Sequence, residues 1–251
     1  MSTAISLPLG YPDFFNYVES LLAKYPYVPT PPAPTPVFSD NFASGVLDTT
    51  KWAASAWSVT IGGSKTTFNP AYLDLSGGSL RMKLDQPTAA TSTGCEIISK
   101  QSFLYGIFEW TMRAHSTSPT ATGVGVAKPG QISTGYIYSV ESEIDCPEIE
   151  GRTPNVVEFT NWLKGSNDGA AIVPVSFNPQ DGFHRYKCEW RPTFVKYYID
   201  DVLVATHTTK IPDQAVPVIL DSYGTNSSTW GGLASVGVTR YAYFSSFKYW
   251  S

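Results

Sequence analysis

The chain has little charge and few of the residues that organise metal sites or covalent crosslinks. Lys, Arg, Asp and Glu make up 15% of its 251 residues, and it contains three His and three Cys. Three cysteines cannot all pair, which excludes a disulfide scaffold but leaves one bridge open. No stretch reaches the roughly 18 apolar residues of a membrane span. No basic stripe typical of a nucleic-acid binder occurs either, so a neutral partner is favoured over a polyanion.

One short stretch concentrates the charge that the rest lacks. Residues 141–150 carry five carboxylates. Side chains alternate along a strand, so Glu143 and Asp145 share one face, whereas regular alternation turns Glu148 to the other. One extra residue at Cys146-Pro147, a β-bulge, returns Glu148 to the face of Glu143. Proline has no N–H to donate to a sheet and suits a bulge. The pattern therefore predicts a row of three carboxylates on one surface.

Such a row destabilises a fold, because at least one acid must keep its proton or find a cation. Glycoside hydrolysis uses this situation, since it needs one ionised and one protonated carboxyl. A central Asp can help to keep the pKa values of the two apart. A solvated acidic strand and a calcium site are the alternatives. The spacing and Pro147 favour a catalytic site over both.

Residues 1–36 are predicted to be separate from the rest of the chain. Residues 12–24 have the pattern of a short helix with one apolar face. Its apolar positions are Phe14, Val18, Leu21 and Leu22. Six prolines follow between Pro26 and Pro36, which predicts a stiff, extended linker. The helix is expected to dock on a protein partner or on the domain's own surface, with a signal remnant or a disordered tail as alternatives.

From residue 37 to residue 251 the chain reads as one domain of many short strands separated by Gly, Asn and Asp turns. This pattern predicts an all-β sandwich of two sheets. The predicted strands are 58–61, 73–75, 80–84, 96–99, 106–113, 123–126, 143–150, 156–162, 185–190, 195–199, 202–205, 216–220 and 244–250.

Four landmarks also stand in a distinctive order. They are the opening segment 38–52, the strand 105–109, the acidic signature 143–148 and the hairpin 182–201. Over about residues 37–251 they resemble glycoside hydrolase family 16. The resemblance implies a β-jelly-roll of two curved antiparallel sheets, of the concanavalin A-like lectin and glucanase class, with an open sugar cleft.

The resemblance also implies retaining endo-hydrolysis of a β-linked polysaccharide. Glu143 corresponds to the nucleophile, Asp145 to its partner and Glu148 to the general acid/base. The bulged spacing is found in the laminarinase- and agarase-like branches of the family. A β-1,3- or mixed-linkage glucan is therefore the first-choice substrate. An extracellular or cell-surface location is expected, although no signal peptide is visible.

Sugars stack on aromatic rings and hydrogen-bond to amides, which makes four further residues candidates for substrate binding. They are Trp162, Asn161, Trp230 and Tyr138. The aromatic ones have ordinary core packing as their alternative. Glu141 and Glu150 are interpreted as charges at the cleft edge or on the surface.

No cofactor and no metal ligand are expected. His115 and His184 lack the spacing of a metal site. The resembled family often holds a structural calcium ion with an Asp in its closing strand, but Ser245 stands at that position, so calcium is not supported.

Cys146-Pro147 departs from the aliphatic and Met residues usual in the family's bulge. A rival interpretation is therefore a non-catalytic glycan-binding module on the same fold, tethered to a larger viral or cell-surface assembly. Fold alone does not separate these functions. A purely structural sandwich with a decayed site is the third alternative.

Overall fold

The computed structural model describes residues 34–167 and 169–251. The predicted helix at 12–24 and the proline-rich segment as far as residue 33 lie outside the described residues and stay predictions. Within the described part the chain forms 18 strands and one 3-10 turn, and no α-helix. No helix in that part is long and apolar enough to cross a membrane.

The strands follow one another closely along the chain, and the 3-10 turn at Pro70–Tyr72 lies between β4 and β5. In order they are β1 (Phe38–Asp40), β2 (Trp52–Ala54), β3 (Ser58–Ile61), β4 (Ser64–Phe68), β5 (Leu73–Asp74), β6 (Leu80–Thr88), β7 (Thr91–Phe103), β8 (Gly106–Ser116), β9 (Gln131–Ser139), β10 (Ser142–Glu150), β11 (Val156–Leu163), β12 (Ser166–Asn167), β13 (Ala171–Pro174), β14 (His184–Arg191), β15 (Phe194–Ile199), β16 (Val202–His207), β17 (Val216–Gly224) and β18 (Arg240–Trp250).

Two antiparallel sheets make up most of the fold. Sheet 1 has the order β5-β6-β18-β8-β14-β15-β16, with β1 paired to the far end of β18. Sheet 2 has the order β2-β7-β17-β9-β10-β11, with β12 and β13 on the outer edge of β11. A small extension, β3 and β4, joins β7, and the pairing of β4 with β7 is parallel. The described residues confirm the predicted all-β sandwich.

Strand alternation places the core between the two sheets. In β6, Leu80, Met82 and Leu84 are buried, whereas Arg81 and Lys83 between them are partly exposed. Both sheets contribute to one apolar cluster in this way. Its largest fully buried members include Trp52, Trp110, Trp190, Phe108 and Phe159. Burial of each such side chain stabilises the fold by roughly 1.5–3 kcal/mol relative to exposure. The cluster therefore supports the inner face of sheet 2.

The predicted strand at 123–126 is wrong. These residues form an irregular loop, and Val124 is 97% exposed. The buried guanidinium of Arg113 donates to the carbonyl oxygens of Thr120, Ala121 and Gly123 at 2.7–3.0 Å. The carbonyl groups of residues 120, 121 and 123 therefore bind a guanidinium, and Val126 accepts from the N–H of Thr117 at 3.1 Å.

The sequence analysis also missed β9, the strand between β17 and β10. Its apolar residues Ile132 and Ile137 are buried but interrupted by Ser133, Thr134 and Gly135, so the alternation is too weak to recognise. This omission matters, because β9 forms the floor of the cleft described next.

Candidate active site

The outer face of sheet 2 carries a cleft of about 720 Å³. Alternate residues of β7, β17, β9 and β10 point into it, while their neighbours point into the core. The cleft is lined by five carboxylic acids: Glu96, Glu143, Asp145, Glu148 and Asp221. None of its described lining residues is Lys, Arg or His. The cleft is therefore acidic and has no cationic side chain of its own.

A β-bulge brings three of these acids into one row. Asp145 lies opposite Thr160 and Glu148 lies opposite Glu158, so β10 contains one more residue than β11 between these pairs. The same shift occurs against β9. The extra residue lies at Cys146-Pro147, whose peptide bond is cis. The register confirms the predicted bulge and the shared face of the three acids.

The inward residues of β10 hold the row in place. Ile144, Cys146 and Ile149 belong to the apolar core. The thiol of Cys146 contacts that of Cys188 on sheet 1. All three cysteines of the chain are buried free thiols. Cys146 thus packs behind the cleft, and the acids on the other face are anchored to the sandwich.

Glu143 and Asp145 form a hydrogen-bonded pair. Burial raises the pKa of Glu143 to about 7, and the hydrogen bond from Asp145 opposes that rise. Asp145 is 6% exposed, and burial followed by the charges of Glu143 and Glu148 holds its pKa well above its usual range. The indole of Trp162 hydrogen-bonds to Asp145. A neutral Asp145 that donates to Glu143 therefore favours an ionised Glu143.

Glu148 has a different set of neighbours. The indole Nε1–H of Trp230 donates to its Oε1 at 2.6 Å. Burial raises the pKa of Glu148 to about 7, the bond from Trp230 opposes the rise, and the charges of Glu158, Glu150 and Glu143 add to it. Near pH 7 Glu148 is therefore divided between its acid and base forms, and it holds its proton fully only at lower pH. Its sensitivity to the charge of Glu143 also shows that the two carboxyls interact across the bulge.

The row can thus present one ionised and one protonated carboxyl at the same time. Like charges that share a site titrate as a coupled group, so the first ionisation makes the second harder. Acid-assisted displacement at a sugar carbon requires one ionised and one protonated carboxyl. The indoles of Trp162 and Trp230 fix the orientation of the acids from two sides.

The opposite wall of the cleft was not predicted from the sequence. Glu96 on β7 accepts a hydrogen bond from the indole of Trp57 at 3.0 Å and another from Ser55. Asp221 on β17 accepts from the hydroxyl of Tyr136 at 3.0 Å. Its Oδ1 is buried without a hydrogen-bond partner among the described residues. The sequence offers one sign of this wall: Asp221 follows directly after the apolar run 216–220.

Three of the four predicted sugar contacts lie at or beside the cleft. Tyr138 and Trp230 line it, and Tyr138 is 40% exposed. Trp162 reaches the acidic row through Asp145. The prediction for Asn161 is wrong. It shares a rung with Ile144 on the core face, where its amide donates to the carbonyls of Thr209 at 3.0 Å and Lys210 at 2.6 Å.

Alternation explains this error, because adjacent residues of one strand cannot both face the cleft. Asn161 therefore ties the segment after β16 to the sandwich. Its neighbour Trp162 is the residue that faces the acids.

The two outer acids of the row also differ from each other. Glu141 lies in the turn before β10 and is exposed, as interpreted from the sequence. Glu150 is 2% exposed, so its interpretation as a surface charge is wrong. Carboxylate oxygens of Glu148, Glu150 and Glu158 lie within 4.8 Å of one another. Glu150 is paired with Arg152 and with the backbone N–H of Gly231.

Comparison with known proteins adds independent information. Residues 48–237 match the family described as Glycosyl hydrolases family 16. A beta-glucanase of Paenibacillus polymyxa is 27% identical over 176 residues, which are 69% of this chain and 71% of the relative. A beta-glucanase of Bacillus licheniformis is 26% identical over 224 residues, which are 88% of this chain and 77% of the relative.

Solved structures show the same fold. The structure of the Bacillus licheniformis beta-glucanase superposes with a TM-score of 0.74 at 23% identity, covering 87% of this chain and all (100%) of that one. The laminarinase catalytic domain of Thermotoga maritima superposes with a TM-score of 0.70 at 14% identity, covering 86% and 97%. At these identities the structures are evidence for the jelly-roll architecture alone.

Proposed function

The chain belongs to glycosyl hydrolase family 16, and on that premise we propose that it is a retaining endo-hydrolase of a β-linked glucan. The observation that carries the proposal is the bulge in β10, which places Glu143 and Glu148 on one face of the cleft with Asp145 between them. Glycoside hydrolysis by two carboxyls is the chemistry that this arrangement fits.

In the proposed reaction, Glu148 donates its proton to the glycosidic oxygen as the bond from that oxygen to the anomeric carbon breaks. The carboxylate of Glu143 forms a new bond to the same carbon, which gives a covalent glycosyl-enzyme. Water then attacks the carbon and gives a proton to Glu148 while the bond to Glu143 breaks. Burial raises the pKa of Glu148 to about 7, and the hydrogen bond from Trp230 opposes this rise. The raised pKa keeps part of the Glu148 population in the acid form that the first step needs.

Asp145 has a supporting part in this scheme. Its hydrogen bond stabilises the charge on Glu143 before attack. When that charge is consumed in the covalent bond, the same donor loses most of its attraction. Asp145 thus helps to keep Glu143 ionised while Glu148 stays protonated.

Two observations support a neutral β-glucan as the substrate. The matched relatives are named as beta-glucanases, and one neighbour of the same fold is named as a laminarinase. The cleft has acids and aromatic rings but no described cationic side chain that would bind an anionic sugar. A β-1,3- or mixed-linkage glucan is the specific proposal.

The test measures new reducing ends from laminarin, lichenan and agar, with Glu143→Gln as the matched control. We expect release from at least one β-glucan by the wild type and almost none by the variant. Product chain lengths at early times test endo action, and NMR of the first anomer tests retention. Equal release by the two proteins contradicts the assignment, and oligosaccharide binding without any turnover favours the glycan-binding alternative.

A further inference from the structure

Glu150 is a buried carboxylate that the proposed reaction does not use. It stands two residues after Glu148 on β10 and is 2% exposed. The Nη2 of Arg152 donates to its Oε1 at 3.0 Å, and the Nε of Arg152 contacts its Oε2. A buried charge destabilises a fold unless it is paired and hydrogen-bonded. Arg152 supplies that pairing from the exposed side.

The second partner of Glu150 belongs to a different part of the chain. The backbone N–H of Gly231 donates to Oε2 of Glu150 at 2.7 Å. The carbonyl oxygen of Gly231 in turn accepts from the N–H of Gly130 at 2.9 Å. Gly231 has φ +73, and a Cβ there would lie 2.3 Å from Oγ1 of Thr225. Only glycine fits this backbone, so the carboxylate meets the loop at a closely constrained point.

The residue directly before this point is Trp230. Its indole donates to Glu148 at 2.6 Å, and its ring packs on Tyr223 with centroids 5.9 Å apart. Glu148 and Glu150 lie on the same face of β10, so one strand contacts two successive residues of the loop. The two contacts close a ring that runs from Glu148 through Trp230 and Gly231 to Glu150.

We propose that Glu150 is a positioning residue that holds Gly231 and thereby fixes the indole of Trp230 against Glu148. The proposal rests on the proposed function, in which Glu148 is the general acid. Glu150 touches neither substrate nor reacting atoms in this scheme. It acts through the loop, and Arg152 pairs with its carboxylate.

A purely structural clamp would leave the hydrogen bond between Trp230 and Glu148 unchanged. The contacts predict otherwise, because Gly231 is joined to Trp230 in the chain and Trp230 donates the hydrogen bond that lowers the pKa of Glu148. Misplacement of a catalytic group by about 1 Å lowers a rate by up to about 100-fold. Loosening Trp230 therefore changes the chemical step more than it changes substrate binding.

The principal variant is Glu150→Gln. The carboxylate accepts from two N–H groups of Arg152 and from Gly231, whereas the amide of Gln has one acceptor oxygen and places its NH₂ donor against one of these donors. Arg152→Gln is the second variant, and it leaves the buried side of the site intact because Arg152 is exposed. Glu141→Gln removes an equal charge from the exposed turn before the same strand and serves as the control.

The first readout is the indole N–H resonance of Trp230 in a ¹H–¹⁵N spectrum, assigned by its loss in Trp230→Phe. We expect this resonance to move in Glu150→Gln and, by less, in Arg152→Gln, and to stay in place in Glu141→Gln. This measurement needs no turnover, so it tests the proposal even if no hydrolysed glycan is found. A resonance unmoved in folded Glu150→Gln overturns the positioning role.

The second readout is the pH profile of hydrolysis. We expect Glu150→Gln to lower the maximal kcat by about tenfold to 100-fold with less change in KM, and to move the basic limb to higher pH, because the Trp230 bond that lowers the pKa of Glu148 is weakened. Loss of the Glu150 charge alone would move the limb to lower pH, so a shift in that direction with unchanged kcat contradicts positioning. Arg152→Gln should change both in the same direction by less. A moved resonance with an unchanged kcat and limb also overturns the proposal, because it leaves Glu150 as a structural clamp only.

Discussion

The two walls of the cleft are built from the same kinds of residue but are arranged differently. On the β10 wall, Glu143 and Glu148 each hydrogen-bond to a partner within the site, and the charge of Glu143 raises the pKa of Glu148. On the β7–β17 wall, Glu96 and Asp221 also have pKa values raised by burial, but each is hydrogen-bonded to a different strand or loop. Burial alone therefore does not identify a catalytic acid. What distinguishes the β10 acids is that the bulge places them in one row on a single strand.

The largest expected effect comes from Glu148→Gln on the β10 wall. Without a proton donor, a poor leaving group departs slowly, and we expect hydrolysis of the polysaccharide to fall by about 10²–10⁴-fold. An aryl glucoside with an acidic leaving group does not need that proton, so its kcat/KM, which reports the first step, should fall far less, although the second step still needs Glu148 as base. Glu96→Gln, the same change on the other wall, should affect both substrates alike. Equal losses of kcat/KM on both substrates in Glu148→Gln would contradict the role of Glu148 as the acid.

On the opposite wall, Asp221→Ala should weaken binding more than chemistry. Asp221 accepts a hydrogen bond from the hydroxyl of Tyr136 at 3.0 Å and so orients a second lining residue, while its own Oδ1 is buried behind the cleft surface. Loss of one such hydrogen bond costs about 1.4 kcal/mol, a factor of ten in KM. Tyr136→Phe removes only the hydroxyl behind Asp221 and should have a smaller effect. Steady-state kinetics on one purified oligosaccharide measures both, and an effect on kcat alone would refute a binding role.

The difference between the walls also explains what could be predicted from the sequence. The β10 row is local, so its spacing and Pro147 were enough to predict the bulge and the shared face of Glu143 and Glu148. The other wall is not local. Asp221 lies far from residue 143 in the chain, and only the sheet order β17-β9-β10 brings it to the same cleft.

The predictions for two single residues, Asn161 and Glu150, were wrong for a related reason. The pair Asn161-Trp162 was treated as one sugar-binding unit, although a strand sends adjacent side chains to opposite faces. Glu150 is interpreted from the sequence as a charge at the cleft edge or on the surface, because its partner Gly231 lies 81 residues further along the chain. Contacts of that kind depend on tertiary structure and leave no mark in the local pattern.

Stability gives a smaller effect with a definite sign. The pKa of Glu148 is raised from 4.5 to about 7 in the folded state by burial. As pH rises above 4.5 the unfolded chain ionises first, so this residue lowers the free energy of unfolding progressively up to about pH 7. Below pH 4.5 Glu148 is protonated in both the folded and the unfolded state, so it no longer lowers the free energy of unfolding.

Glu148→Gln should therefore raise Tm at pH 8 by a few degrees, since each kcal/mol is worth about 2–4 °C in a chain of this size. At pH 4 the variant and the wild type should unfold at nearly the same temperature. Glu141→Gln, on the exposed turn, should change neither value. A Tm difference of the same size at both pH values would mean that packing, and not ionisation, causes it.

The smallest expected effect concerns charged glycans and depends on the β10 wall. Because Glu143 and Glu148 have pKa values near 7, raised chiefly by burial, the cleft gains negative charge between pH 5 and pH 8. A sulfated oligosaccharide should then inhibit hydrolysis about threefold to tenfold less at pH 8 than at pH 5, a difference of about 1 kcal/mol that fits repulsion between near but solvated charges. A neutral oligosaccharide of the same length should show no such trend. High salt should reduce the difference, because it screens exposed charges. If both inhibitors show the same pH dependence, the weaker inhibition at pH 8 comes from the shape of the cleft and not from its charge.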